Sequence, residues 1–146
     1  MISKNLSHLY QRELTNVKEE ITAYADEEQL WITAERINNS AGNLSLHISG
    51  NLQHFFGAIL GGTVYKRDRD FEFSGKVSRQ ELLDDLEAAE KAVTDTLATI
   101  TEDQLNEIFP MKAFGEVTTE WFILHLYGHL TYHLGQINYH RRLLAK

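Results

Sequence analysis

The chain has 146 residues, a length that suits one domain with a real core and is too short for two ordinary ones. It has no Cys, which excludes disulfides, iron-sulfur clusters, thiolate zinc sites and a cysteine nucleophile. The formal charge of -7 argues against a nucleic-acid partner, since no obvious basic face offsets repulsion by phosphate.

In chain order, Leu6, Leu9, Leu14, Val17 and Ile21 recur at helical spacing and predict a first amphipathic helix from about Ile2 to Ala25. This segment carries charge from Lys4 onward and lacks the apolar run of a signal peptide. No window approaches the roughly 18 apolar residues of a membrane span, so the expectation is a cytoplasmic protein without a membrane partner.

Asn38, Asn39, Ser40 and Gly42 read as a turn, and Asn43 or Ser40 can cap the helix that follows. That second helix is expected from about Asn43 to Leu60, with Leu44, Ile48, Leu52, Phe55 and Ile59 on its core face and the Gly61-Gly62 pair at its end. Residues 61–77 read as a loop, with alternation at Phe71 and Phe73 that falls short of a strand. Ser78 and Glu81 form a capping box for a third helix to about Ile100, lined by Leu82, Leu83, Leu86, Ala89, Val93 and Leu97.

Thr101 and Gln104 repeat the capping signal for a short turn through Ile108, and Pro110 stops it. Thr118 or Thr119 then caps a last helix that continues to about Leu144. Four long helices with long connections predict an all-α fold, a four-helix bundle with crossover-type links over residues 1–146 as a single domain.

Seven histidines are present, and their placement is more informative than their number. At about 100° per residue, His125, His129, His133, Gln136 and His140 form one stripe on the last helix, expected to run down the middle of its apolar face. An unpartnered buried polar group costs roughly 1–3 kcal/mol, so something must satisfy these imidazoles. On the second helix His47, Asn51 and His54 cluster on the flank of the core face. Imidazoles from two facing helices, two of them at i, i+4, suit a divalent transition metal in a bundle core. The bland alternative is a set of core histidines bonded to their neighbours, and His8 is the least informative of all.

Lys66, Arg67, Arg69 and Lys76 are the one basic concentration. They either draw an anionic substrate toward the end of the second helix or pair with Asp68, Asp70, Glu72 and the acidic third helix. Trp121, Phe122, Tyr132 and Tyr139 are expected in the core rather than in a ligand cage.

Two segments, LSLHISGNLQHFFGAILGG with the following RDRDFEF, and HLTYHLGQINYHRRLL, resemble the DinB-like (YfiT-like) superfamily of metal-dependent enzymes. The resemblance covers essentially the whole chain, and the second segment with its Gly-Gln-Ile is the more specific. It implies an up-down-down-up bundle, often a homodimer, in which three histidines hold a divalent metal. Carried over residue by residue, the ligands match His47, His129 and His133. His54 lies on the same flank as His47 and His125 extends the paired spacing, so each is a substitute. Asn51 and Gln136 are candidates to orient ligands or bound water, and His125 or His140 to move a proton.

Three imidazoles on zinc or nickel leave a coordination position for water or substrate, the layout of a catalytic site. Between His129 and His133 stands Leu130-Thr131-Tyr132, without the Glu of an H-E-x-x-H peptidase. Relatives with known chemistry include thiol-dependent isomerases and S-transferases, which makes a low-molecular-weight thiol the implied partner and a hydrolase the other enzymatic option. The rival reading from another class is a dimeric binding module in which a metal is structural, adventitious or absent.

Overall fold

The computed structural model describes all residues from Met1 to Lys146. Helix α1 spans Ile2–Ala23 and is followed by a 3-10 turn at Glu27–Trp31. Helix α2 spans Ala41–Leu52 and continues without a break into a π-helical segment, Gln53–Leu60. Short α3 covers Arg69–Ser74, long α4 Arg79–Thr99, short α5 Glu102–Asn106 and long α6 Thr119–Leu144. No helix is long and apolar enough to cross a membrane.

The helix starts follow from local chemistry. Ser40, Ser78, Thr101 and Thr118 each accept a backbone N–H from the first turn they cap. At Ser78 and Thr101 the third helical residue, Glu81 or Gln104, returns the bond to the cap's own N–H. The second helix ends as expected at Gly61-Gly62, where Gly62 takes the left-handed conformation with φ 68°.

Helix direction can be read from a few bonds. Tyr10 donates its hydroxyl to the Ile123 carbonyl at 2.6 Å, and Arg141 reaches Glu20 at 2.7 Å, so α1 and α6 run parallel. Arg79 reaches the Tyr24 carbonyl at 2.6 Å while Lys18 pairs with Glu87, which makes α4 antiparallel to α1. His47 faces His129, and Phe55 packs edge-on against Phe122 with centroids 5.0 Å apart, so α2 runs against α6. The order is therefore up-down-down-up.

Packed between the helices are 27 buried apolar residues. At about 1.5–3 kcal/mol for each large side chain fully buried, this cluster is the main source of stability. Stacked Phe109 and Phe122, 4.0 Å apart, close one end.

Three expectations are corrected. The segment 61–77 is not all loop: Asp68 caps α3 by accepting the Phe71 N–H at 3.1 Å, a signal too short for periodicity to register. Ile59 is 42% exposed rather than in the core, because the π winding turns residues after Leu52 away from the α-helical register. On α6 the core face is narrower than its composition suggests. Trp121, Tyr132 and Tyr139 are exposed, while Phe122, Ile123, Leu126, Leu130 and Ile137 are buried. The histidine stripe accordingly runs along the border of the buried face and not down its middle, apart from His140, which is buried.

Candidate metal centre

His47 lies on α2, where almost every residue is buried, and faces the i, i+4 pair His129 and His133 on α6. Its Nε2 is 3.0 Å from His129 Nε2, and His133 Nε2 is 3.1 Å from the same atom. Two nitrogens bound to one zinc at about 2.0–2.1 Å stand roughly 3.0–3.4 Å apart, so the spacing suits one shared cation. No other group of three or more His, Asp or Glu side chains converges in this way.

The tautomers are set by partners on the far side of each ring. His47 donates its Nδ1–H to Glu72 Oε1 at 2.9 Å, and His133 donates its Nδ1–H to Gln136 Oε1 at 2.7 Å. Both rings therefore turn an Nε2 lone pair toward His129. A single proton on His129 Nε2 can satisfy only one of them well. A divalent cation satisfies all three nitrogens, which is the sense in which these residues fit a metal.

Burial, reinforced by the neighbouring His133 and His47 rings, pushes His129 down to about 3, and burial also lowers His133. Neutral imidazole is the form that binds a metal.

Glu72 is the residue that sequence reasoning missed as part of the site. It is 4% exposed although it stands between exposed Phe71 and Phe73, the reverse of the alternation its neighbours suggest. Arg67 clasps it with two bonds, Nε to Oε2 at 2.8 Å and Nη2 to Oε1 at 2.9 Å. Burial pushes this carboxyl up, but the bonds from His47 and Arg67 and their charge hold it below its ordinary value.

Its approach to α2 depends on Gly50, since a Cβ there would stand 2.0 Å from Glu72 Oε2. Asn43, in the first turn of α2, donates to the Glu72 and Gly75 carbonyls at 3.1 and 2.9 Å and pins α3 in place. Phe73 covers the His47 ring, centroid to centroid 4.8 Å. The signal in the sequence was the acidic residue inside RDRDFEF, which the pairing of the basic loop with Asp68, Asp70 and Glu72 already included as one option.

The other singled-out residues separate. His54 falls in the π segment against the Phe55 ring and does not join the cluster. His140 is a satisfied core histidine: Nε2–H donates to the Ile32 carbonyl at 2.8 Å, and Nδ1 accepts from Tyr24 at 2.7 Å. Both of its ring nitrogens are thus engaged outside the three-histidine cluster. His8 is exposed on α1.

His125 stacks on Trp121 with rings 5.4 Å apart and lines a cleft of about 220 Å³ that reaches His47 and His129. Asn51 lines the same cleft, and its buried Oδ1 has no hydrogen-bond partner. The basic loop divides: Arg67 is half-buried against Glu72, Lys76 pairs with Glu28 at 2.6 Å, and Arg69 lies over the Phe73 ring at 5.6 Å. A larger cavity of about 560 Å³ lies elsewhere, between the π segment and the ends of α4 and α5, and contains none of the histidines.

The DinB superfamily model matches residues 10–137. A crystal structure of a conserved protein from Enterococcus faecalis is similar in fold, with a TM-score of 0.82 at 17% identity over 99% of this chain and 97% of that one. No curated protein matches the chain. With the family model covering most of its length, the chain belongs to the DinB superfamily.

Proposed function

We propose that this protein is a metal-dependent enzyme acting on a small molecule, with His47, His129 and His133 as the ligands of a divalent transition metal, zinc or nickel. The observation that carries the reading is the convergence of three Nε2 atoms at 3.0 and 3.1 Å, with Glu72 and Gln136 fixing the outer nitrogens of two of the rings. When bound, such a metal supplies Lewis acidity and lowers the pKa of a water or thiol beside it.

The chain's own residues position this chemistry. Glu72 and Gln136 orient ligands, and Glu72, already clasped by Arg67, is not free to act as a general base. His125 lines the cleft next to His129 and is the residue placed to move a proton. With no Cys in the chain, a sulfur nucleophile has to arrive as a low-molecular-weight thiol, so thiol-dependent S-transfer is the first reaction to assay and hydrolysis the second.

The same proposal includes a homodimer formed through α6. Trp121, Leu124, Tyr132, Tyr139 and Leu143 are exposed along it, and open space stands where a Cβ would be added at Gly128 and Gly135 between them.

The direct test is metal content of untagged protein expressed with zinc or nickel. About one equivalent per chain is expected, falling below roughly a tenth in His47→Ala and His129→Ala. Wild-type protein that neither retains metal nor takes it up on add-back overturns the enzyme reading. Light scattering of wild type against Tyr132→Glu checks the dimer.

A further inference from the structure

The cleft that reaches His47 and His129 has two unequal banks. One is the loop of Arg67 and Arg69, and the other is the segment of Met111, Ala113 and Phe114 between α5 and α6. The first bank is fastened. Arg67 makes two bonds to the buried Glu72, and Asn43 ties α3 to α2 through the Glu72 and Gly75 carbonyls.

The second bank is fastened only at its base. Phe109 donates its N–H to the Val117 carbonyl at 2.9 Å, and Thr119 donates its N–H to the Glu107 carbonyl at 2.8 Å. Beyond these bonds Lys112 to Glu116 are all exposed. Their polar contacts stay within the tip: the Gly115 N–H donates to the Lys112 carbonyl at 3.2 Å, and Lys112 pairs with Glu116 at 3.8 Å. No hydrogen bond or ion pair joins residues 112–116 to another element.

What holds the tip down is one ring. Phe114, 48% exposed, lies 4.4 Å from His125 between centroids, with Trp121 at 5.6 Å and Phe122 at 6.2 Å. A segment with few buried apolar contacts and no polar tie opens at little free-energy cost. Flaps of this kind over a reaction site admit substrate and then exclude water.

We propose that residues 112–116 form a lid on this cleft, with Phe114 as its latch over His125. Closed, the lid covers His125 and narrows the way to His47 and His129; open, it lets a small molecule in. The fixed bank of Arg67 gives it something to close against. The inference rests on the enzyme reading for its purpose, but the movement itself does not require a metal.

The first test is backbone amide relaxation dispersion on metal-free wild-type protein. Exchange between closed and open states on the microsecond-to-millisecond scale is expected at Lys112 to Glu116 and absent at Arg67 to Glu72. In Phe114→Ala, where the latch is gone, the dispersion should vanish and order parameters of the tip should fall below about 0.6. Phe114→Leu should lie between the two.

The second test is the rate at which an excess of chromophoric chelator strips zinc from loaded protein. Phe114→Ala should speed removal by about three- to tenfold, the factor that half of a phenylalanine's burial is worth. Equilibrium zinc affinity should stay unchanged, because Phe114 packs on His125 and not on a ligand. Flat dispersion across the wild-type tip, whether from a rigid or a disordered segment, overturns the lid. So does a tip that keeps order parameters of about 0.85 in Phe114→Ala, or zinc removal from that variant at the wild-type rate. If wild-type protein retains no zinc, the enzyme reading falls and the dispersion alone decides the lid.

Discussion

Glu72 accepts the Nδ1–H of His47 at 2.9 Å, while the other nitrogen of the same ring stands 3.0 Å from His129. One bond thus decides which face of the imidazole is offered to the cluster. Loss of an outer partner of this kind typically costs 10–100-fold in metal affinity. Glu72→Gln keeps the shape and an acceptor but removes the charge that balances Arg67, so metal affinity should fall by about that factor with helical content unchanged. Competition against a chromophoric chelator measures it; an unchanged affinity would show that His47 is oriented without Glu72.

Gly50 should matter to the metal although it has no side chain to bind one. An added methyl would stand 2.0 Å from Glu72 Oε2 and 2.6 Å from its Cδ. Gly50→Ala is therefore expected to destabilise the fold by about 1–3 kcal/mol and to weaken metal binding together with it. Thermal unfolding with and without zinc reads both effects. A variant with wild-type unfolding and wild-type affinity would mean that α3 can shift at no cost.

Two histidines of the α6 stripe should fail in opposite ways. His140→Ala leaves Tyr24 and the Ile32 carbonyl without their partner and opens a cavity, so stability should drop by about 2–4 kcal/mol with metal stoichiometry retained. His129→Ala removes the crowding of two lone pairs on one nitrogen, so the metal-free variant should be no less stable than metal-free wild type, while metal retention is lost. Chemical denaturation of metal-free samples, paired with metal analysis, distinguishes the two.

Acid should loosen the seam between α1 and α6. Burial pushes the Glu20 carboxyl up, but bonds from Arg141 and Asn138, with the charges of Arg141 and Arg142, leave it below its ordinary value. A carboxyl depressed in the folded state adds stability that is present above its unfolded pKa and is lost as pH falls through the folded one. The contribution is about 1 kcal/mol or less, because the pair is partly exposed. Glu20→Gln should therefore be less stable than wild type at neutral pH and converge with it in acid. Parallel curves across the acid range would count against the pair.

Much of the frame was legible because it rests on local rules. The capping boxes at Ser78 and Thr101 and the cap at Thr118 depend on residues three apart, and the structure shows each of them. His129 and His133 share a helix turn, so their proximity follows from spacing alone. What brings His47 to them is the antiparallel packing of α2 on α6, a long-range relation that periodicity suggests but does not specify.

Glu72 was illegible for a stronger reason. The sequence offers this acid only as one of several carboxylates that a basic loop can pair with, and only a short helix with an arginine folded over it puts the acid inside. The exposed Trp121, Tyr132 and Tyr139 show the same limit, since hydrophobicity does not say whether a ring meets the core or the outside.

The π winding from Gln53 to Leu60 gives the second helix two angular settings in one continuous rod. Before it, His47 faces the other histidines and Asn51 the cleft; within it, Phe55 and Phe56 face the aromatic core. Removing a single residue at the junction would leave every side chain in place chemically yet rotate one half against the other. The length of this helix is thus itself a determinant of the site, and insertions or deletions there should be far less tolerated than substitutions.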